Sequence, residues 1–284
     1  MRGELVLYQE SPALSLFIAD GSKTRETALL CIAGMGDGLL SLPYLDTLHA
    51  AMTEATIVQI LLSSSYSGWG LASLDDDAAE IMCAVQCLVT KHGFKSVVLL
   101  GHSTGCQDTI HTILTQVNHP YHGKISAGIL QAPVSDCEAF EEICDKEALA
   151  IVTNFARGLH PEDLLPRQMM RNVGFGDVAM TARRWLSVAT PLGQDDYFSS
   201  TLSANTIKST FGRITIPFMA IVGGNDEYVP HNVDKEQLVA FWKQNTAAPC
   251  FEKSFVLAGA NHKVTDEGAQ QALAWSICSF LKQL

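Results

Sequence analysis

The segment Val97-Val98-Leu99-Leu100 runs without a break into Gly101-His102-Ser103-Thr104-Gly105, and a helical pattern starts at once. No other feature limits the possible folds as strongly. A continuous apolar run without alternation suits a strand covered on both faces, as in a parallel sheet. At such a strand-to-helix junction, a serine between two glycines is forced into a sharp turn that lifts its hydroxyl above the sheet edge. Gly101 and Gly105 belong there because larger side chains would collide across so tight a turn. The competing interpretation is an ordinary loop whose serine caps the next helix.

The rest of the chain has the same rhythm. Strands are expected at Glu4–Tyr8, Ala13–Ile18, Ala28–Ala33, Ala55–Leu62, Ser96–Leu100, Ile125–Gln131, Pro217–Val222 and Ser254–Leu257. A turn at Asp20-Gly21-Ser22 separates the second and third. Helices are expected at Leu45–Met52, Asp75–Lys91, Thr104–Val117, Val233–Gln244 and Glu267–Leu281. Asp75-Asp76-Asp77 favours the positive end of the second helix, and Gly93 stops it. This alternation predicts an α/β fold: a mostly parallel, doubly wound sheet with right-handed crossovers. From Cys137 to Gly212 there are helical patterns and no clear strand. A chain of 284 residues therefore suits one core domain, 1–136 with 213–284, carrying an inserted, mainly helical lid at 137–212.

Charge narrows the function. Nineteen basic against thirty acidic residues give a net charge of −11, and no basic face is visible for nucleic-acid phosphates. No apolar run approaches the ~18 residues of a membrane span, and Met1-Arg2-Gly3-Glu4 lacks the apolar stretch of a secretory signal. The eight scattered cysteines fit small buried hydrophobes in a reducing, cytoplasmic compartment. Cys83 and Cys87 could share one face of a helix, but no matching Cys/His pair follows, so no metal or other cofactor is expected.

A serine hydroxyl needs a base, and the base needs an orienting group. Among nine histidines, His262 follows the strand Phe255–Ala258 on the last strand-to-helix loop, from which it can reach back over the sheet edge. His231 is a competitor that could cap a helix, and His102 abuts the serine and would point away from it. For the acid, Asp226 follows the buried run Phe218–Val222 and a glycine-rich exit. It would fix the imidazole tautomer and stabilise the imidazolium. Asp136, after the strand ending near Gln131, is the rival. The oxyanion formed on attack requires preorganised N–H donors. The Thr104 amide supplies one, and the Gly34-Met35-Gly36-Asp37-Gly38 loop supplies the other, through Met35 or, second, Gly36. No Gly-Lys-Ser/Thr follows these glycines, and Leu39 breaks a dinucleotide-binding pattern.

The order Ser103, Asp226, His262 is that of the α/β-hydrolases, and the chain resembles that superfamily throughout. More narrowly it resembles a fungal intracellular family that includes esterases of fusarinine-type siderophores. The resemblance rests on GMGDGLLSLPYL (34–45), LLSSSYSGWG (61–70), GHSTGCQD (101–108), LQAPVSD (130–136), GGNDEYVP (223–230) and ARRWLSVATPLGQDDYFSS (182–200). It implies hydrolysis of ornithine-ester bonds in a hydroxamate siderophore. Related members could act on other secondary-metabolite esters or lactones.

The lid should set specificity. With ten acids and seven bases between 137 and 212 it is no basic clamp. Phe140, Phe155, Phe175, Trp185, Tyr197 and Phe198 are candidates either for an acyl site or for packing of the lid onto the core. Arg183 or Arg184 could meet a carboxylate or hydroxamate oxygen, with at least one expected to be solvated. Asp37 and Ser63–Tyr66 are placed at the pocket rim. The expected partner is a small-molecule ester, and the sequence does not fix the oligomeric state. A thioesterase or acyltransferase of polyketide or peptide biosynthesis would keep the same residues. A non-catalytic receptor on the same scaffold is the rival from another class.

Overall fold

The computed structural model describes residues 1–21 and 26–284; Ser22 of the expected turn lies outside them. The chain forms β1 (Gly3–Gln9), β2 (Leu14–Ala19), β3 (Thr27–Ile32), α1 (Tyr44–Ala51), β4 (Thr56–Ile60), α2 (Leu74–Lys91), β5 (Ser96–His102) and α3 (Gly105–Thr115). It continues through β6 (Ile125–Gln131), α4 (Asp136–Ile143), α5 (Lys146–Arg157), α6 (Arg167–Asn172), α7 (Ala182–Ala189) and α8 (Ala204–Ser209). It closes with β7 (Phe218–Gly223), α9 (Lys235–Gln244), β8 (Phe255–Leu257) and α10 (Glu267–Leu281).

The strands make one sheet in the order β1-β2-β4-β3-β5-β6-β7-β8. β1 and β2 pair antiparallel, as do β2 and β4, and every later pairing is parallel. The apolar runs explain this arrangement. All of β4 and β7, and all but the first residue of β3 and β5, are buried, as strands covered on both faces must be. α1 and α10 pack together on one face, while α2 and α3 pack together on the other. α2 begins where Ser73 and Asp76 form a reciprocal capping box, and it ends before Gly93 at φ +76°.

Strand order reverses at β3. The chain steps outward from β3 to β4, then returns past β3 to β5. Loops leaving the carboxyl ends of β3 and β5 therefore diverge, and a crevice opens between them. The helices α4 to α7 lie between β6 and β7 in sequence and build their own core from Phe140, Leu149, Val152, Met170, Trp185 and Val188. Trp69, from the loop after β4, joins that cluster and fixes the helical insertion over the crevice. Full burial of a large side chain there stabilises by roughly 2–3 kcal/mol. The end of the segment behaves differently: Phe198, Leu202, Ile207 and Phe211 pack into the core beside β7 and α9.

Candidate active site

Ser103 stands at the β5–α3 junction with φ +54°, a left-handed conformation that non-glycine residues rarely hold. Its surroundings over-determine it. A Cβ on Gly101 would sit 2.2 Å from the Gly105 carbonyl oxygen, and one on Gly105 would sit 2.3 Å from that of Ile32. The Ser103 N–H donates to the Gln131 carbonyl at 3.1 Å, and the Cys106 N–H donates to the Ser103 carbonyl at 2.8 Å. Strain of this kind costs on the order of 1–3 kcal/mol and persists only where the surroundings enforce it.

Three loops at this sheet edge bring distant residues together. His262 Nε2 lies 2.8 Å from Ser103 Oγ. On the other side of the ring, Nδ1 lies 2.8 Å from Asp226 Oδ2 and 3.0 Å from Oδ1. His262 and Asp226 are both buried, so water competes little for these bonds. The surrounding residues fix the pair. The Tyr228 N–H donates to Asp226 Oδ1 at 3.0 Å, the His262 N–H donates to Glu227 Oε2 at 2.9 Å, and the Tyr228 ring meets the imidazole edge-on at 4.6 Å. Among the described residues, no hydrogen bond joins Asp136, the rival acid, to His262.

His102 is fully buried with its ring centre 5.0 Å from that of His262. Burial drives its pKa down to about 3, with the neighbouring His262 adding to the shift, so His102 stays neutral. Its Nδ1 pairs with Gln131 Oε1, while Gln131 Nε2 donates to the His262 carbonyl at 3.3 Å. A neutral ring at this position adds no repulsion to an imidazolium at 262. His231 is exposed and holds no place here.

Above Ser103 is a cavity of about 310 Å³. Met35, Gly36, Asp37, Ser103, Tyr228, His262 and Lys263 form the core side, and Trp69, Val134, Asp136, Ala139, Phe140, Ile143 and Phe175 complete it. Lys263 Nζ pairs with Asp37 Oδ1 at 2.7 Å, tying together the two loops that flank the serine. Among the described residues, the backbone N–H groups of Met35 and Thr104 donate to no protein acceptor.

Asp136 is buried in the cavity wall as the first residue of α4. Gln107 Nε2 donates to its Oδ2 at 2.9 Å. Dehydration raises its pKa to about 8, reinforced by Asp195 and Asp196 and outweighing Arg184 and the Gln107 hydrogen bond. Behind the wall, dehydration likewise raises Asp77 to about 7 and Asp108 well above the usual carboxylate range.

Four residues expected at the substrate lie off the cavity wall. Arg183 points away and pairs with Glu162 at 2.9 Å. Trp185 is wholly buried in the core of the insertion, behind Phe140 and Phe175, with Nε1 donating to Thr153 Oγ1 at 3.1 Å. Ser63 is exposed and its N–H donates to Glu80. Tyr66 covers Gly38, with its N–H donating to the Asp37 carbonyl at 2.9 Å. Arg184 is a structural residue: its Nη1 pairs with buried Asp195 at 2.6 Å, and its Nε donates to the Trp69 carbonyl at 2.9 Å. Of the aromatic candidates, Phe140 and Phe175 reach the cavity. Phe155 is exposed, while Tyr197 and Phe198 pack into the core. Trp69, Tyr228 and Glu227 have no sequence signal of their own beyond lying in segments that carry the resemblance, and Lys263 has none beyond following His262.

Known proteins resemble this chain over nearly its whole length. A family described as "Protein of unknown function (DUF1749)" matches residues 2–282. A UPF0613 protein of Schizosaccharomyces pombe is 32% identical, over 93% of this chain and 89% of its own. The protein named fusarinine C esterase sidJ, of Aspergillus fumigatus, is 32% identical, over 92% of this chain and 90% of its own. The solved structure of the siderophore hydrolase EstB from Aspergillus fumigatus superposes with a TM-score of 0.82 at 29% identity, covering 100% of this chain and 97% of that one. The chain has the α/β-hydrolase fold and belongs to the DUF1749 family.

Proposed function

We propose that this protein is a serine ester hydrolase that works through an acyl-enzyme on a siderophore or another secondary-metabolite ester or lactone. The observation that carries this reading is the unbroken Ser103–His262–Asp226 hydrogen-bond chain at the floor of a cavity. Ser103 attacks the ester carbonyl while His262 takes its proton at Nε2. Asp226 holds the proton on Nδ1 and stabilises the imidazolium. Oxygen charge developing in the tetrahedral intermediate is met by the Met35 and Thr104 amides, with Gly36 the alternative to Met35. His262 then protonates the departing alcohol, and in the second half-reaction it activates water against the acyl-enzyme.

The relatives named as a fusarinine C esterase and a siderophore hydrolase support an ester as substrate. The cavity lies near the lower end of the ~300–1,000 Å³ typical of ligand sites, which suits one acyl arm of such a molecule. We read the helical insertion at 137–212 as the lid that shapes this arm's site. A hydrolysis screen read by mass spectrometry tests the reading. Fusarinine-type siderophores, iron-loaded and iron-free, are run beside aryl esters, thioesters and macrolactones, with and without an alcohol acceptor. Release of hydroxy-acid arms is the expected result. Turnover of thioesters alone, or transfer to the alcohol in preference to water, would overturn it.

A further inference from the structure

Apart from the serine and histidine, the polar groups of the cavity differ sharply in what they can offer a ligand. Asp37 and Lys263 neutralise each other. Tyr228 is half-exposed. The wall facing them consists of Trp69, Val134, Phe140, Ile143 and Phe175, with one polar interruption at Asp136. The Oδ2 atom of that carboxyl is taken up by Gln107, while Oδ1 has no protein partner among the described residues. A charged carboxylate set in an aromatic wall would repel an acyl chain and its oxygens. A neutral one, with its proton on Oδ1, turns an O–H donor towards the ligand.

Given the ester-hydrolase reading above, we infer that Asp136 is a specificity-determining residue that donates a hydrogen bond to an oxygen within the substrate's acyl chain, so that the site selects oxygenated acyl arms over plain alkyl ones. The acyl side is assigned to this wall because its other side chains are apolar and match an acyl chain, whereas Asp37 and Lys263 form a charged pair elsewhere in the lining. Selection comes from the unmade bond. An alkyl chain leaves the buried O–H unpaired, whereas an ether or carbonyl oxygen satisfies it.

The ionisation of Asp136 supports this role. Around it stand Gln107 and Asp108 on α3, Arg184 on α7, and Asp195 and Asp196 on the following loop. Asp195, Asp196 and dehydration favour the neutral form, whereas Arg184, Gln107 and the N-terminal end of α4 favour the anion. With its pKa raised to about 8, the donor is present at neutral pH and is lost above that value.

The test is an oxygen scan. p-Nitrophenyl hexanoate is compared with its isosteres in which one chain methylene at a time is replaced by an ether oxygen. At pH 7 one position should be preferred by about tenfold in kcat/KM, and the preference should fade above about pH 8. Asp136→Asn, whose amide keeps a donor and can still accept from Gln107, should retain the preference through pH 9. Asp136→Leu should reverse it. A wild type indifferent to every ether position, a Leu variant that keeps the preference, or an Asn variant that loses it at alkaline pH would each overturn the inference. The same chains offered as primary amides to Ser103→Ala, with affinity read by calorimetry, report the wall without turnover. Discrimination there with no ester hydrolysis anywhere would sink the enzymatic reading and leave this one standing. Hydrolysis without discrimination would do the opposite.

Discussion

Gly34 lies so close to Ser103 that a Cβ on it would sit 2.6 Å from the Ser103 Cβ and 3.1 Å from the His102 carbonyl oxygen. The loop leaving β3 and the turn leaving β5 touch at this point, and Met35 and the serine line the same cavity. Gly34→Ala must push one loop off the other. Displacements of about 1 Å at a reacting centre can cost about 100-fold. The variant should lose about that much in kcat/KM on p-nitrophenyl acetate, and a variant retaining full activity would contradict the proposed oxyanion site.

In the proposed mechanism Asp226, with Oδ2 2.8 Å from His262 Nδ1, fixes which nitrogen of the ring carries the proton. Asp226→Asn keeps the shape and lets the ring adopt the wrong tautomer, so kcat should fall by about 10⁴. Stopped assays with a chromogenic ester read this directly. A loss under tenfold would mean that the acid lies elsewhere.

Arg184 and Arg183 are neighbours with opposite fates. Arg184→Met leaves Asp195 buried without its counter-charge and should destabilise by about 3–5 kcal/mol in urea denaturation. Arg184→Met with Asp195→Asn should recover part of this. Arg183→Ala breaks only a half-exposed pair with Glu162 and should stay within about 0.5 kcal/mol. Equal effects at the two positions would contradict the assignment.

Stability should fall as pH rises from 5 to 8. Asp136, raised to about 8, and Asp77, raised to about 7, hold protons in the folded state that the unfolded chain releases near pH 4. The folded state thus binds more protons across this window, and the slope of stability against pH is negative. Asp136 alone contributes a loss on the order of 2–4 kcal/mol between pH 5 and 8. Asp136→Asn should flatten the profile, as read by denaturation at each pH. An unchanged slope in that variant would refute the raised pKa.

Much of this was legible in the residues because burial and hydrogen bonding leave local marks. The apolar runs of β3, β4, β5 and β7 mark strands covered on both faces, and glycine at 101 and 105 marks a turn with no room for a side chain. Ser103 and Asp226 follow two of these strands and His262 follows the short, partly buried edge strand β8, so their convergence is expected from topology. The direction of side chains inside the insertion was harder to foresee. In α7, Arg184 shares the buried stripe with Trp185 and Val188, whereas Arg183 sits one step round the helix, half-exposed against Glu162. Amphipathic periodicity reveals which face is apolar but not which layer it packs against, so Trp185 looked as plausible a pocket residue as Phe140. Lys263 and Tyr228 lie on loops, where no periodicity encodes direction. The sequence marks Asp136 only as a possible partner for the histidine, because the burial that raises its pKa is set by tertiary packing and the charges of Asp195 and Arg184 that act on it lie far along the chain.

Mass spectrometry after treatment with a fluorophosphonate probe tests the central claim most directly. A single adduct on the peptide containing Ser103 is predicted, absent from Ser103→Ala and formed far more slowly in His262→Ala. An adduct of equal yield on Ser103→Ala, or none on the wild type, would contradict the account.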